Sequence, residues 1–180
     1  MSEDATNHNM PRNSSILKFV IQYVWYPLSR MGVNNVKAIV RFVSDDLFVG
    51  ITPSGHSMTL DTDSSRSIAP SPTELLLLAA GACTATDVAS ILAKKRQHVT
   101  GYVVEVSGVR RDEFPRKYTS MKVHHILTGH DLSERAVAQA IELSDTKYCS
   151  VAATLRPGVE IQTSFEIIED AADPSRGEVD

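Results

Sequence analysis

The stretch Pro72-Thr-Glu-Leu-Leu-Leu-Leu-Ala-Ala-Gly-Ala-Cys83-Thr-Ala-Thr-Asp87 constrains the fold more than any other part of the chain. It opens in the turn cluster Ala69-Pro-Ser-Pro72. Ser71 is placed to cap a helix, with Pro72 at its first position and Glu74 at its third, which is a capping box leading into an apolar run. From Leu75 to Cys83 no residue is polar, and a helix that is apolar all round is buried in a core or in a membrane. Nine residues are too few to cross a bilayer, and Asp87, Lys94, Lys95 and Arg96 follow, so the spacing predicts a buried central helix running to about Arg96. Leu75 to Leu78 supply bulk. Ala79 to Ala82 supply almost none, which requires a close neighbour there and suggests packing beyond one chain, hence a homodimer.

A chain of 180 residues is long enough for one domain with a real core. A formal charge of -4 gives no electrostatic case for a nucleic-acid or acidic-membrane partner. Residues 1–13 are polar and aperiodic, in the manner of disordered segments. Ile16 to Leu28 is crowded with apolar and aromatic side chains but lacks the basic start and small-residue cleavage site of a signal peptide. It reads equally as a membrane-surface helix, as an added packing element, or as sequence upstream of a natural start at Met31.

The chain then alternates. Val36 to Val43, Leu47 to Ile51 and His56 to Leu60 read as a meander of three strands joined by turns at Ser44-Asp45-Asp46 and Thr52 to Gly55. After the central helix, Val99 to Val109 and Tyr118 to Thr128 alternate again, with Met121, Val123, His125 and Leu127 on one face. Ser133 caps a helix with Val137, Ile141 and Leu143 as its stripe. A short helix is expected over Val151 to Leu155, a last strand over Val159 to Ile168, and an acidic tail over 169–180. The predicted class is α+β, antiparallel sheets around a long central helix, with a core domain at 36–168 and an N-terminal extension at 1–35.

Cys83 and Cys149 stand 66 positions apart, too few cysteines for a disulfide framework and compatible with a cytosolic redox pair or two unrelated buried thiols. Buried free cysteine is common as a small apolar residue. A thiol attacks peroxide only as thiolate. Cys149, just ahead of a short helix and beside Lys147, is placed to ionise, whereas Asp87, one turn beyond Cys83 on the same face, opposes ionisation of Cys83. A zinc set with His124 and His125 lacks ligand spacing, because adjacent strand residues face opposite ways. No metal and no cofactor are expected.

Taken together, the Pro72 to Thr84 motif and Lys147-Tyr-Cys149-Ser-Val151 resemble the OsmC/Ohr family, the osmotically induced and organic-hydroperoxide-resistance proteins. Val36-Lys-Ala, Ser54-Gly-His56 and Glu142-Leu-Ser144 support the resemblance. Asp87 to Gln97 is similar to the subgroup of the enterobacterial protein YhfA. The resemblance covers about residues 36–168 and implies an OsmC-like fold in an intertwined, cytoplasmic homodimer. It also implies thiol-dependent reduction of organic hydroperoxides in oxidative-stress defence. On that reading Cys83 is the peroxidatic thiolate and Cys149 resolves it as a disulfide, re-reduced by a small dithiol or a lipoylated protein. Two departures stand out. In the hydroperoxide-resistance proteins a Glu directly follows the motif proline and pairs with an Arg in a Gly-Gly-Arg turn after the first strand. Here those places hold Thr73 and Ser44-Asp45-Asp46, and Glu74 lies about 100° further round the helix. Arg41, on the first strand, does not take that role. The departures leave open an alternative: a non-enzymatic, redox-responsive or ligand-binding dimer that keeps the fold without the activating pair.

Overall fold

The computed structural model describes residues 36–170 apart from Ser64. The segment 1–35, with the Ile16 to Leu28 cluster and the expected extension, lies outside the described residues. Two three-stranded sheets carry the architecture. The first is the predicted meander: β1 (Ile39–Ser44), β2 (Leu47–Ile51) and β3 (Ser57–Asp61), antiparallel throughout. The second holds two long strands, β4 (His98–Arg110) and β5 (Tyr118–His130), and β6 (Glu160–Glu169).

The expectation of wholly antiparallel sheets is corrected here. β4 and β5 form an antiparallel hairpin, but β6 runs parallel to β5, from Ser120 opposite Glu160 to Gly129 opposite Glu169. The reason is the connection. A parallel neighbour needs a crossover of a dozen or more residues, and α2 (Glu134–Leu143), a π-helical turn (Ser144–Tyr148) and α3 (Ser150–Leu155) supply it. Of the expected tail 169–180, residues 171–180 lie outside the described residues. Glu169 ends β6, and Asp170 is held by its N–H donating to the Gly129 carbonyl (2.9 Å) and by Thr100 Oγ1 donating to its carboxylate (2.7 Å).

The central helix α1 spans Pro72–Lys94 and starts as its sequence dictates. The Ser71 N–H donates to Glu74 Oε2 at 2.6 Å, and the Glu74 N–H returns a bond to Ser71 Oγ at 3.3 Å. By length and composition α1 could cross a membrane, yet it packs against β4, α2, the π turn and α3. Its inner face is Ala80, Gly81, Thr84, Val88 and Leu92. A Cβ added to Gly81 would stand 3.0 Å from Val106 Cγ2, so the small-residue patch receives a strand of the same chain. On the outer face, among the described residues, Leu78 is 62% and Leu76 40% exposed.

Val88, Leu92, Leu127, Val137, Ala140 and Ile141 form the core, joined by Tyr102, Phe165 and Ile167. The predicted inward face of β5 is as expected: Met121, Val123, His125 and Leu127 are all buried.

Candidate functional site

The chain brings the two cysteines together. Cys83 lies about three turns into α1, partly exposed; Cys149 is buried at the N-cap of α3. The π turn is what aims Cys149. Its wide winding closes with the Cys149 N–H donating to the Ser144 carbonyl at 2.8 Å, and Cys149 then leaves helical geometry (φ -69°, ψ 96°) to start α3. Its Sγ accepts the Ala152 N–H at 3.3 Å.

Asp87 completes the group. Cys83 Sγ, Cys149 Sγ and a carboxylate oxygen of Asp87 all lie within 4.8 Å of one another. Residues four apart on a helix share a face, which puts Cys83 and Asp87 side by side. Ser144 Oγ donates to Asp87 Oδ2 at 3.1 Å and lies 3.0 Å from Thr84 Oγ1, so a buried hydroxyl holds the carboxylate in place. A small cavity adjoins the site, walled by Thr84, Val123, Asp145, Cys149, Ile161 and Thr163. Asp145 in that wall is bonded to Arg156.

The expectation that Cys149 ionises readily is corrected. Burial is the main effect on its thiol and, aided by the neighbouring Cys83 thiol, pushes its pKa up to about 11 against the opposing pull of the Ala152 N–H. Lys147 does not offset this. Its ammonium lies over the Tyr148 ring, 5.4 Å from the centroid.

The other polar side chains, with the sequence candidates Glu74, Thr73, His124 and His125 among them, fall elsewhere. Glu74 is consumed in the helix cap, with its carboxyl held below the usual range by the Ser71 N–H. Thr73 offers its carbonyl to Tyr118 Oη (3.3 Å). Arg66 is bound through two nitrogens to the buried carboxylate of Asp61, at 3.1 and 3.0 Å. His124 bonds Ser164 on the exposed face of the second sheet (2.9 Å). His125 is fully buried, with Nδ1 2.6 Å from Tyr102 Oη and Nε2 without a hydrogen-bond partner among the described residues. Burial, with a smaller contribution from neighbouring His124, brings its pKa down to about 4. The two histidines point apart, as their adjacency on a strand requires, and neither joins the thiols.

A family model described as OsmC-like protein matches residues 62–164. Protein YhfA of Escherichia coli strain K12 is 45% identical over 133 residues, covering 74% of this chain and 98% of its own length. The chain belongs to the OsmC-like family. As an OsmC-like protein it is also similar to the crystal structure of a hypothetical protein from Aquifex aeolicus VF5, with TM-score 0.69 and 30% identity over 78% of this chain and all of the other. The fold extends to the crystal structure of an organic hydroperoxide resistance protein OsmC from Legionella pneumophila. That match has TM-score 0.57 and 13% identity over 76% of this chain and 99% of the other. The sequence points to Cys83, Cys149 and Asp87, and the structure brings the three together. Ser144 stands in a motif without a role assigned to it, and Thr84 carries no signal beyond its place on the buried face.

Proposed function

We propose that this OsmC-like protein is a thiol-dependent hydroperoxide reductase, with Cys83 peroxidatic and Cys149 resolving. The observation that carries the reading is the meeting of the two thiols, 66 positions apart in sequence, with a small cavity against Cys149. Their environments divide the roles. Cys83 is partly exposed and reachable by a peroxide, while Cys149 is 4% exposed and its thiol is held protonated.

In the first step the Cys83 thiolate attacks the distal peroxide oxygen. The O–O bond breaks, the alkoxide takes a proton and leaves as alcohol, and Cys83 becomes a sulfenic acid. Cys149 sulfur then attacks Cys83 sulfur, and the displaced hydroxide takes up the Cys149 proton to leave as water. A dithiol, either a small molecule or a lipoyl group on a protein, reduces the disulfide by exchange. The organic class of peroxide is the one named for the Legionella pneumophila protein of the same fold, and a cytoplasmic setting follows in this proposal from the need to keep both thiols reduced.

The working form in this proposal is a homodimer. Val40, Phe42 and Val43 on β1 are 56–66% exposed, and Leu78 on α1 is 62% exposed, an apolar surface that a second copy would cover. Sedimentation of the full chain should give twice the monomer mass, and Phe42→Asp should lower it.

One observation favours the alternative, a redox-responsive or ligand-binding protein without turnover. The carboxylate of Asp87 sits beside the sulfurs, where the hydroperoxide-resistance proteins use a cation, and the first turn holds Ser44-Asp45-Asp46. Consumption of cumene hydroperoxide with excess dithiol decides between them. Turnover above the dithiol background that vanishes in Cys83→Ser supports the reductase. Background rates in wild type and both cysteine variants would leave the second reading.

A further inference from the structure

The peroxide chemistry uses the two sulfurs and gives Asp87 nothing to do. A carboxylate beside two thiols is electrostatically adverse to a thiolate, yet it is held in place there by Ser144. Three potential ligand atoms of two kinds, from Cys83, Cys149 and Asp87, lie within 4.8 Å of one another. A zinc ion binds thiolate at about 2.3 Å and carboxylate at about 2.0–2.2 Å, which sets tetrahedral ligand atoms roughly 3.4–3.8 Å apart. The remaining gap is within reach of small side-chain rotations. Two sulfurs and one oxygen suit a borderline-soft ion, and they exclude magnesium and calcium, which take oxygen ligands.

The surroundings are those of a held ligand set. Ser144 donates to Asp87 Oδ2, and the Ala152 N–H donates to Cys149 Sγ. Such outer hydrogen bonds orient metal ligands and stabilise their charged forms. Cys83 and Asp87 are fixed one turn apart on α1, and Cys149 is fixed by the closed π turn. We propose that Cys83, Cys149 and Asp87 form a site for one divalent cation of the zinc class, with Ser144 orienting the carboxylate and water in the fourth position. The proposal goes beyond the peroxide reading and does not rest on it. The two compete for the same atoms: with the ion bound, neither sulfur is free to attack peroxide, and a disulfide between them would remove two of the three ligands.

The test is anaerobic titration of the reduced, metal-free, untagged full chain with cobalt(II), followed by displacement with zinc(II). Thiolate-to-cobalt charge transfer in the near ultraviolet, with visible bands of tetrahedral intensity saturating at one ion per chain, is the expected result. Surface histidines cannot produce the charge-transfer band. Diamide-oxidised wild type should lose it without any mutation. Asp87→Asn should weaken binding by about tenfold or more, and Ser144→Ala by about tenfold or less, both with unchanged circular dichroism. No charge-transfer band in the reduced protein would overturn the proposal. So would an Asp87→Asn affinity equal to wild type, since the thiols alone would then be binding. Peroxide turnover is measured separately in the presence of chelator, so a failure of either idea leaves the other standing.

Discussion

The two sheets of this protein are built from similar residues and reach different ends. The second sheet presents Tyr102, Met121, Val123 and Leu127 to α1 and α2, and Leu127, Val88 and Val137 are fully buried there. The first sheet has comparable bulk in Val40, Phe42, Val43 and Met58, yet all four are exposed, and its strands pack mainly on one another. Only Leu60 and Asp61, where β3 meets the loop toward α1, are buried in it. The difference is one of helix cover. The half with α1 and α2 over it closes a core, while the apolar side chains of the meander stay exposed among the described residues. The site lies on the closed side, at the junction of α1 with the crossover.

The largest expected effect tests that contrast directly. Leu127→Ala removes a fully buried side chain and should cost about 2–5 kcal/mol of stability, read from denaturant midpoints. Phe42→Ala should stay within about 0.5 kcal/mol in dilute protein, with a larger cost appearing only as concentration rises and copies associate. Equal losses for the two at every concentration would erase the distinction between the sheets. A middle-sized effect belongs to the start of α1. Ser71→Ala removes one arm of the capping box and should cost on the order of 1 kcal/mol, and no loss on thermal melting would mean that packing alone sets that end.

The smallest effect at neutral pH comes from His125. Its pKa falls from the ordinary 6.5 to about 4 on folding. The unfolded chain therefore binds a proton below pH 6.5 that the folded chain refuses until about pH 4. Stability is intact above 6.5 and declines as pH falls through that window. His125→Phe should flatten the decline measured between pH 7 and pH 5. A variant with the same slope as wild type would assign the pH dependence to other groups. The loop before α1 has an ionised anchor as well. Arg66 brings the Asp61 carboxyl down to about 2, so that contribution holds to much lower pH.

Which of these features could be read in advance follows from the range of the forces involved. The cap of α1 rests on residues three apart, and the inward faces of β4 and β5 rest on a period of two, so both are written locally. The direction of β6 was available in principle from the long helical connection before it, but alternation alone carries no direction. The π turn at Ser144–Tyr148 has no compositional signature, and without it the position of Cys149 could not be read. The thiol's resistance to ionisation was misread for a related reason. Lys147 and the helix start are neighbours in sequence, whereas burial is imposed by α1 and β5 from far along the chain. Asp87 was legible as a neighbour of Cys83 on one helix face, but its approach to Cys149 required the crossover to fold back.

That crossover has a mechanical corollary. A bond between Cys83 and Cys149 would fasten α1 to the start of α3 and enclose the whole β4–β5 hairpin in a covalent ring of 67 residues, counted inclusively from the sequence. By chain entropy, closing a ring of that size restricts the unfolded chain by roughly 4 kcal/mol. Oxidation would therefore make the protein harder to unravel and to feed into a protease, so that the spent form outlasts the reduced one until a reductant reopens the ring.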